Sequence, residues 1–438
     1  MNKFCRNCNI EICAIFAYLC ISFNSYAERF FVRNIDIRGN NVICRETIIR
    51  YLNLSTNSLV QSQTIFASTN QLLESRLFKS VSCKITNLYT NVIDVTYEVE
   101  EKRNRYFYVG FGLSAIEGPV VFTDFSIRNI SLNKYPPIGD DKILRLFTQW
   151  GFEGYHVRLS LFDPYLANLS QNAEYAMFKD DKRYLGDVYN ESDMGIQLRL
   201  SKALEKQYIR LSIQYEFKQV ELYGMADNVS EDIREWNGFT SQGVITPSIS
   251  YDSRDKTFMT TYGDWCKLSP SFSSEFLGGN VNIYGVTWRS SSFCPIWFNH
   301  VIHLSTGIDT VESYNNDDSI PLFDRTYLGG FGTVRGYKYR DIGGHDNQGN
   351  SLGGRTATFG SVEYIVPFTK LAQIVVFYDT GYNSGQSFDF SPSQVYDSCG
   401  FGARAKIGPF PVICDYAIPL RDTDTHHPRI EIQVGYVF

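Results

Sequence analysis

The chain has 438 residues and a formal net charge of −6, so it lacks the basic patch on which nucleic-acid binding usually depends, and no nucleic-acid partner is predicted. Aromatic residues make up 15% of the chain although its mean hydropathy is only −0.21. This combination is untypical of a helical membrane protein and typical of a membrane β-barrel. An aromatic-rich soluble β-protein would have the same composition.

The first 27 residues have the layout of a secretory signal peptide. Lys3 and Arg6 supply positive charge, residues 12–23 are mostly apolar, and Ser25 and Ala27 provide small residues for a peptidase. The apolar run is too short to cross a bilayer as a helix, which takes about 20 residues. We therefore expect cleavage after Ala27. No longer apolar run follows, so insertion into a membrane would have to use β-strands.

Residues 28–103 are predicted to form a small α/β domain in the order β-α-α-β-β. Residues 31–37 alternate as a strand and stop at a turn signal that begins with Gly39. Residues 81–85 and 92–99 alternate as two closing strands. Between them we expect two helices, whose apolar faces consist of Ile48, Ile49 and Leu52 in the first and Phe66, Leu72, Leu73 and Leu77 in the second.

The cysteines beyond the predicted leader are widely scattered along the chain. This spacing favours isolated thiols over a disulfide framework. A bridge between Cys44 and Cys83 stays open as an alternative inside the small domain.

Residues 104–438 alternate between apolar and polar side chains and lack helical periodicity. In residues 209–217, Leu211 and Ile213 share one face while Arg210 and Ser212 share the other. A spanning strand takes about 9–11 residues, so this part of the chain holds roughly sixteen strands. The predicted fold class is mainly β: a transmembrane antiparallel β-barrel preceded by one small α/β domain. The predicted closing strand presents Ile430, Ile432, Val434, Tyr436 and Phe438 on one face.

The densest motif is a glycine-rich stretch at residues 323–337. Gly330, Gly332 and Gly336 lack the spacing of a dinucleotide-binding loop, and no Lys-Ser or Lys-Thr pair follows as in a P-loop. A tightly folded backbone with a single arginine instead indicates a guanidinium held against a fixed acceptor. A solvated loop arginine is the alternative interpretation.

On these motifs the sequence resembles the BamA/TamA superfamily of outer-membrane assembly barrels (the bacterial surface antigen family), with a single POTRA domain at residues 28–103. Residues 361–367, 376–381 and 400–438 are similar to strands near the family's C-terminus, and residues 246–263 to a mid-barrel segment. The family's signature Val-Arg-Gly-Phe/Tyr is present as Val334, Arg335, Gly336 and Tyr337.

The resemblance implies a structural role for these residues. In the family the signature arginine lies on an extracellular loop that folds back into the lumen and pairs with acidic residues of the barrel wall; by motif position these are Glu363 and Asp379. The resemblance also implies a weakly closed seam between the first and last strands. Gly400, Gly402 and Gly435 are candidates for weakening that seam, and ordinary strand glycines are the alternative.

The function implied by the resemblance is the assembly of other β-barrels in the bacterial outer membrane, with the POTRA domain in the periplasm. Unfolded β-barrel clients and membrane lipids are the expected partners, and periplasmic accessory proteins stay open. A translocation pore of the two-partner secretion type is the alternative; such pores typically carry two POTRA domains and a plug helix, for which the sequence leaves no room. No enzyme motif, cofactor or metal site is predicted.

Overall fold

The computed structural model describes residues 29–435, apart from gaps at 53, 75–76, 90, 133–140, 167–170, 184, 186–187, 205–207, 228, 315–319, 392–393, 409 and 422–425. The predicted signal peptide, Tyr436 and Phe438 lie outside the described residues. The described residues form two compact units, one within residues 29–104 and 128–141 and the other within residues 105–127 and 142–435.

The N-terminal unit contains a four-stranded sheet and two helices. Its elements in chain order are β1 (Arg29–Arg38), α1 (Arg45–Leu52), β2 (Ser58–Gln61), α2 (Ser62–Glu74), β3 (Phe78–Tyr89) and β4 (Val92–Glu101). The strand order is β2-β1-β4-β3, with β1 parallel to β4 and the other pairs antiparallel. Its core is closed by fully buried side chains from both helices and the inner strands, among them Val32, Ile48, Leu52, Leu72 and Ile93.

The observed order is β-α-β-α-β-β, so the predicted order β-α-α-β-β missed β2. This strand is only four residues long, and it is held by pairing with β1 rather than by its own pattern. The predicted apolar face of the second helix was also partly wrong. Leu77 follows the end of α2 and is buried, whereas Leu73 is 39% exposed. Cys44 and Cys83 remain thiols, as the spacing favoured.

The C-terminal unit is a closed barrel of sixteen antiparallel strands, which confirms the predicted fold class. Its first eight strands are β5 (Arg105–Ser114), β6 (Gly118–Ile130), β7 (Lys142–Gly151), β8 (Gly154–Asp163), β9 (Asn172–Lys182), β10 (Asn190–Ala203), β11 (Ile209–Tyr223) and β12 (Gly238–Asp252). The other eight are β13 (Gly263–Ser273), β14 (Ile283–Pro295), β15 (Val301–Ser313), β18 (Thr356–Thr369), β19 (Ala372–Ser384), β20 (Tyr396–Ile407), β21 (Phe410–Pro419) and β22 (Arg429–Val434).

Short elements occupy the connections between the barrel strands. A one-turn helix, α3 (Glu231–Arg234), follows β11, and two short strands, β16 (Gly344–His345) and β17 (Ser351–Gly353), lie between β15 and β18. No helix in the described part of the chain is long and apolar enough to cross a membrane.

The two faces of the wall follow the alternation in the sequence. On β11, Leu211 and Ile213 are exposed on the outer face. The inner face carries charged and amide side chains that bond across strands: Arg158 donates to Glu174 (3.0 Å), and Arg199 donates to Gln214 (2.7 Å). A polar inner wall and an apolar outer wall match a barrel that stands in lipid.

Candidate functional site

The site is built on the connection between β15 and β18, which we call the arginine loop (residues 314–355). Its backbone turns sharply at glycines with positive φ, and at Gly329 (φ +109°) a Cβ atom would lie 2.3 Å from the carbonyl oxygen of Lys338. Gly336 (φ +90°) packs against Pro419 and Ala417 of β21. Only glycine permits both the conformation and the close approach. The sharp turns of the loop thereby place Arg335 against the inner wall of the barrel.

Arg335 is 7% exposed and contacts three carboxylates of the inner wall. Its Nε and Nη2 donate to the two oxygens of Asp379, each at 2.7 Å. Its Nη1 donates to Glu363 (2.8 Å) and to Asp415 (3.0 Å), and Nη2 also reaches the hydroxyl of Ser361 (3.1 Å). The structure therefore brings together the three residues that the motifs singled out, Arg335, Glu363 and Asp379, and adds Asp415. We call these four residues together with Arg404 the arginine cluster.

The backbone beside Arg335 is attached to the same wall. The N–H of Arg335 donates to Asp379 (3.1 Å), and the N–H of Gly336 donates to Glu431 of β22 (3.0 Å). The loop is thus bonded directly to β18, β19, β21 and β22, the last strand of the barrel. Sequence reasoning missed Glu431, because its donor is a backbone group.

Charge in the arginine cluster is balanced by a second guanidinium that sequence reasoning also missed. Arg404 of β20 bonds both oxygens of Asp415 and lies 3.3 Å from Glu363. His303 of β15 contacts the other oxygen of Glu363 at 2.8 Å. Buried charges are tolerated when they are paired and hydrogen-bonded, and every carboxylate here meets at least one cation or N–H donor.

Two strand glycines make room for this arrangement, which corrects the suggestion that they weaken the seam. Gly400 and Gly402 lie on β20, which is separated from the seam by β21 and β22. A Cβ atom at Gly402 would lie 1.8 Å from the carboxylate of Asp415, and one at Gly400 would lie 2.5 Å from the ring of Phe377. That ring faces the guanidinium of Arg335 at 3.5 Å, within cation–π distance. Both glycines therefore serve the arginine cluster.

The other two signature residues fix the loop on either side of Arg335. Val334 is fully buried in a small apolar cluster with Leu328 and Ile342. The hydroxyl of Tyr337 donates to the carbonyl of Asp397 at 2.9 Å. The tetrapeptide thus contributes one apolar anchor, one cation, one turn and one hydrogen-bonded ring.

The outer part of the loop is attached through Asp341. Its carboxylate lies 3.7 Å from Nε2 of His345, on the same loop, and 3.4 Å from Nδ1 of His426, which precedes β22. The contact with His345 lowers the pKa of the Asp341 carboxyl, and the same contact raises the pKa of the His345 imidazole. His426 thereby connects the loop to the segment that precedes β22.

The predicted closing strand is β22, and it forms the seam of the barrel with β5. Ile430 is exposed on the outer face, and Ile432 and Val434 are half-buried. Within the described residues a single residue pair, Val434 opposite Leu113, joins β22 to β5. Gly435 follows with φ +100° and donates its N–H to the carbonyl oxygen of Pro411, which continues the β21–β22 ladder. The register opposite β5 continues into residues 436–438, which lie outside the described residues.

Comparison with known families decides the assignment. Residues 141–438 match the model of the Omp85 superfamily domain, and residues 30–102 match a POTRA model described as the surface antigen variable number repeat. The chain belongs to the Omp85 superfamily. It is an outer-membrane β-barrel protein with a POTRA region, which in this family lies in the periplasm.

Individual Omp85 relatives are distant in sequence. The outer membrane protein assembly factor BamA of Nitratidesulfovibrio vulgaris is 23% identical over 431 residues, which cover 94% of this chain and 52% of that protein. The sorting and assembly machinery component 50 homolog A of Xenopus laevis is 23% identical over 312 residues, covering 68% of this chain and 62% of that protein. The chain thus spans about half to three fifths of the length of these curated relatives.

Solved structures share the Omp85 fold. BamA from Haemophilus ducreyi lacking POTRA domains 1–3 matches with a TM-score of 0.78 at 16% identity, covering 93% of this chain and 84% of that chain. CdiB from Acinetobacter baumannii matches with a TM-score of 0.57 at 12% identity, covering 93% and 74%.

Proposed function

We propose that this protein folds and inserts β-barrel proteins into the bacterial outer membrane by strand templating at the seam between β22 and β5. The observation that carries this proposal is the seam itself, where the first strand β5 and the last strand β22 of an Omp85 barrel meet with Val434 opposite Leu113. Opening of this seam would expose the backbone N–H and C=O groups of β5. The names of the relatives BamA and sorting and assembly machinery component 50 support the same function.

Strand templating follows from the physics of a sheet edge in lipid. Unpaired N–H and C=O groups are costly in hydrocarbon, because no water is present to bond them. A client strand that pairs with β5 satisfies these groups and its own at the same time. Insertion by this route needs no bond chemistry, so we infer that the protein is not an enzyme.

The arginine cluster would hold the closing side of the seam in place during this exchange. The loop is bonded to Asp415 of β21 and, through Gly336, to Glu431 of β22. With these strands fixed from the inside, β22 can lose its contact with Leu113 without leaving the wall. We propose this as the role of Val334, Arg335, Gly336 and Tyr337, with Glu363 and Asp379 as wall partners.

The partners we propose are unfolded β-barrel clients, membrane lipids around the apolar outer wall, and periplasmic accessory proteins. In the POTRA region, residues 28–103 as proposed, the exposed sheet edge at β3 offers a first contact for an extended client segment. Ile85 and Tyr89 are exposed on this strand and would face such a segment.

Reconstitution in liposomes tests the function directly. We expect liposomes that contain this protein to convert a urea-unfolded porin into a protease-resistant membrane form faster than empty liposomes do. The double variant Leu113→Cys/Val434→Cys, in a background with the native cysteines replaced by Ser, provides the control because its seam closes by a disulfide on oxidation. Oxidation should stop insertion and reduction should restore it. Equal insertion in both redox states would contradict templating at this seam.

Depletion in the native host separates assembly from the secretion alternative. Loss of an assembly factor should lower the abundance of other outer-membrane barrels. If these barrels keep their normal abundance while one large exported protein disappears from the medium, the pore of the two-partner secretion type is correct instead.

A further inference from the structure

Two prolines face each other in the wall between β12 and β13. The ladder pairs Val244 with Ser273 and Ile245 with Phe272, and it resumes at Ile249 opposite Leu268. The same register places Pro247 opposite Pro270, and the three residue pairs centred on them are absent from the ladder. We call this place the proline interface.

The missing pairs have a chemical cause, because proline has no N–H to donate. In an antiparallel sheet each residue directs its N–H and C=O to one neighbouring strand. The β11–β12 ladder runs without interruption past Pro247, which lies opposite Ile213, and the β13–β14 ladder runs past Pro270 opposite Val286. The nitrogen of Pro247 therefore points toward β13, and the nitrogen of Pro270 points toward β12. Both of the N–H···O=C bonds that an ordinary residue pair would form here are lost.

Side chains do not replace these bonds. The lumen-facing neighbours of the prolines are short, namely Thr246, Ser248, Ser269 and Ser271. Among the described residues no side-chain hydrogen bond or ion pair joins β12 to β13. By contrast, Ser212 bonds Ser248 across β11–β12 at 2.6 Å, and Arg289 bonds Asp309 across β14–β15 at 2.6 Å. Lateral cohesion is therefore locally weak at the proline interface.

The position of this weakness in the wall is specific. Counting round the barrel, β5 to β12 are eight strands and β13 to β22 are the other eight. The seam and the proline interface therefore divide the wall into two halves with equal strand numbers. Proline in a sheet is normally confined to edges, strand starts and bulges, so two opposed prolines within the wall are unusual.

We propose that the proline interface is a hinge about which the two eight-strand halves turn when the seam opens. A closed cylinder that separates along one line must bend elsewhere, and bending concentrates where strands are held least. The proposal rests on the function proposed above, in that seam opening is what the hinge serves.

The arginine loop is attached in a way that permits this motion. The described wall partners of Arg335 and Gly336 belong to β18, β19, β21 and β22, all in one half. In the other half, Asp324 of the loop accepts a hydrogen bond from Gln242 of β12 at 2.7 Å, and Leu322 is buried with Val220 and Leu222 of β11. These contacts are with the two strands nearest the hinge in that half, where rotation displaces residues less than it does farther round the wall.

Restoring the missing donors tests the hinge. The variant is Pro247→Val/Pro270→Val, which adds two N–H groups and keeps apolar side chains toward lipid. The matched control is Pro295→Val, which adds one N–H at the end of β14, opposite Val301. Spin labels are placed at Phe152 and Gly385, exposed turn residues of the two halves, with the native cysteines replaced by Ser. The full chain is reconstituted in liposomes, and the distance between labels is measured.

We expect the wild-type chain to show a short and a long distance, and the double variant to reduce the long-distance fraction by about tenfold, as two added hydrogen bonds would. The control should match the wild type. If the double variant does not fold, Pro247→Val and Pro270→Val alone should each give an intermediate reduction. An unchanged long-distance fraction, or a wild-type chain with one distance only, overturns the hinge.

Failure of the hinge and failure of the proposed function give different results. Porin insertion by the wild type with unchanged distances in the double variant contradicts the hinge and leaves assembly standing. Conversely, a reduced long-distance fraction without porin insertion by the wild type supports the hinge and contradicts assembly.

Discussion

At the residue scale, the arginine cluster places the guanidinium of Arg335 among three carboxylates that belong to different strands. Asp379 and Asp415 are fully buried, so neither has water as a substitute partner. Removing Arg335 would leave Asp379 without its cation, while Arg404 would be the arginine that remains beside Glu363 and Asp415. The arrangement is therefore much more sensitive to loss of Arg335 than an exposed ion pair would be.

Replacing Arg335 by Ala should destabilise the barrel by about 3–5 kcal/mol, the usual cost of leaving buried charges without their partner. Arg335→Lys should recover only part of this loss, because an ammonium group cannot bond both oxygens of Asp379 in the forked geometry. The measurement is the thermal unfolding midpoint in detergent micelles, followed by the shift between folded and unfolded bands on a gel.

Arg38→Ala serves as the control for this prediction. Arg38 pairs with Asp36 at 2.8 Å on the surface of the POTRA region, where both side chains are largely exposed. Its removal should change stability by no more than about 0.5 kcal/mol. If Arg335→Ala unfolds at the same temperature as the wild type, the arginine cluster does not stabilise the barrel.

Not all residues of the site could be identified from the sequence. Asp415 is the one charged residue in β21 and was a usable signal, since a lone carboxylate in an apolar strand requires a partner. His303 lies directly opposite Glu363, a relation that appears only once the strand register is known. Glu431 receives a backbone N–H, for which no side-chain motif exists.

At the element scale, the sequence predicted the barrel strands because few structures other than a β-strand account for apolar and polar side chains that alternate over about ten residues. It did not predict β2, whose four residues are too few to show a period. It also left Gly400 and Gly402 as candidates for weakening the seam, with ordinary strand glycines as the alternative, because alternation alone does not show what lies beside a strand glycine. What determines their role is the neighbouring bulk of Phe377 and Asp415.

The seam itself supports a prediction at this scale. A Cβ atom at Gly112 of β5 would lie 2.7 Å from the carbonyl oxygen of Val434 and would force β5 and β22 apart. Gly112→Ala should therefore destabilise the barrel by about 1–3 kcal/mol, as overpacking does. Seam separation is measured by the spin-label distances described above.

Gly360→Ala is the matched control, because Gly360 is also a strand glycine. Its nearest neighbour for an added Cβ is a methyl group of Thr380 at 3.8 Å, which is ordinary contact. We expect no change in unfolding midpoint or seam distance. Equal effects of Gly112→Ala and Gly360→Ala would contradict a specific role of the contact between Gly112 and Val434 at the seam.

At the scale of the whole molecule, the POTRA region has a core of its own. The buried cluster of this region runs from Val32 to Val99 and includes no barrel residue. We therefore predict that residues 29–104, produced alone, fold as a soluble domain with a cooperative thermal transition, followed by circular dichroism. Ile48→Asp, which buries a charge in that core, is the control and should abolish the transition. A non-cooperative melt of the unmodified fragment would contradict an independent core.

The antiparallel contact between β22 and β5 limits which β-barrels the proposed assembly function could release. A single strand placed between them would run antiparallel to one neighbour and parallel to the other, whereas two strands joined as a hairpin keep every junction antiparallel. Under the proposed assembly function, growth at this edge would therefore proceed two strands at a time. Client barrels with an even strand number would then leave with uniform pairing, and an odd-numbered client would retain one parallel junction.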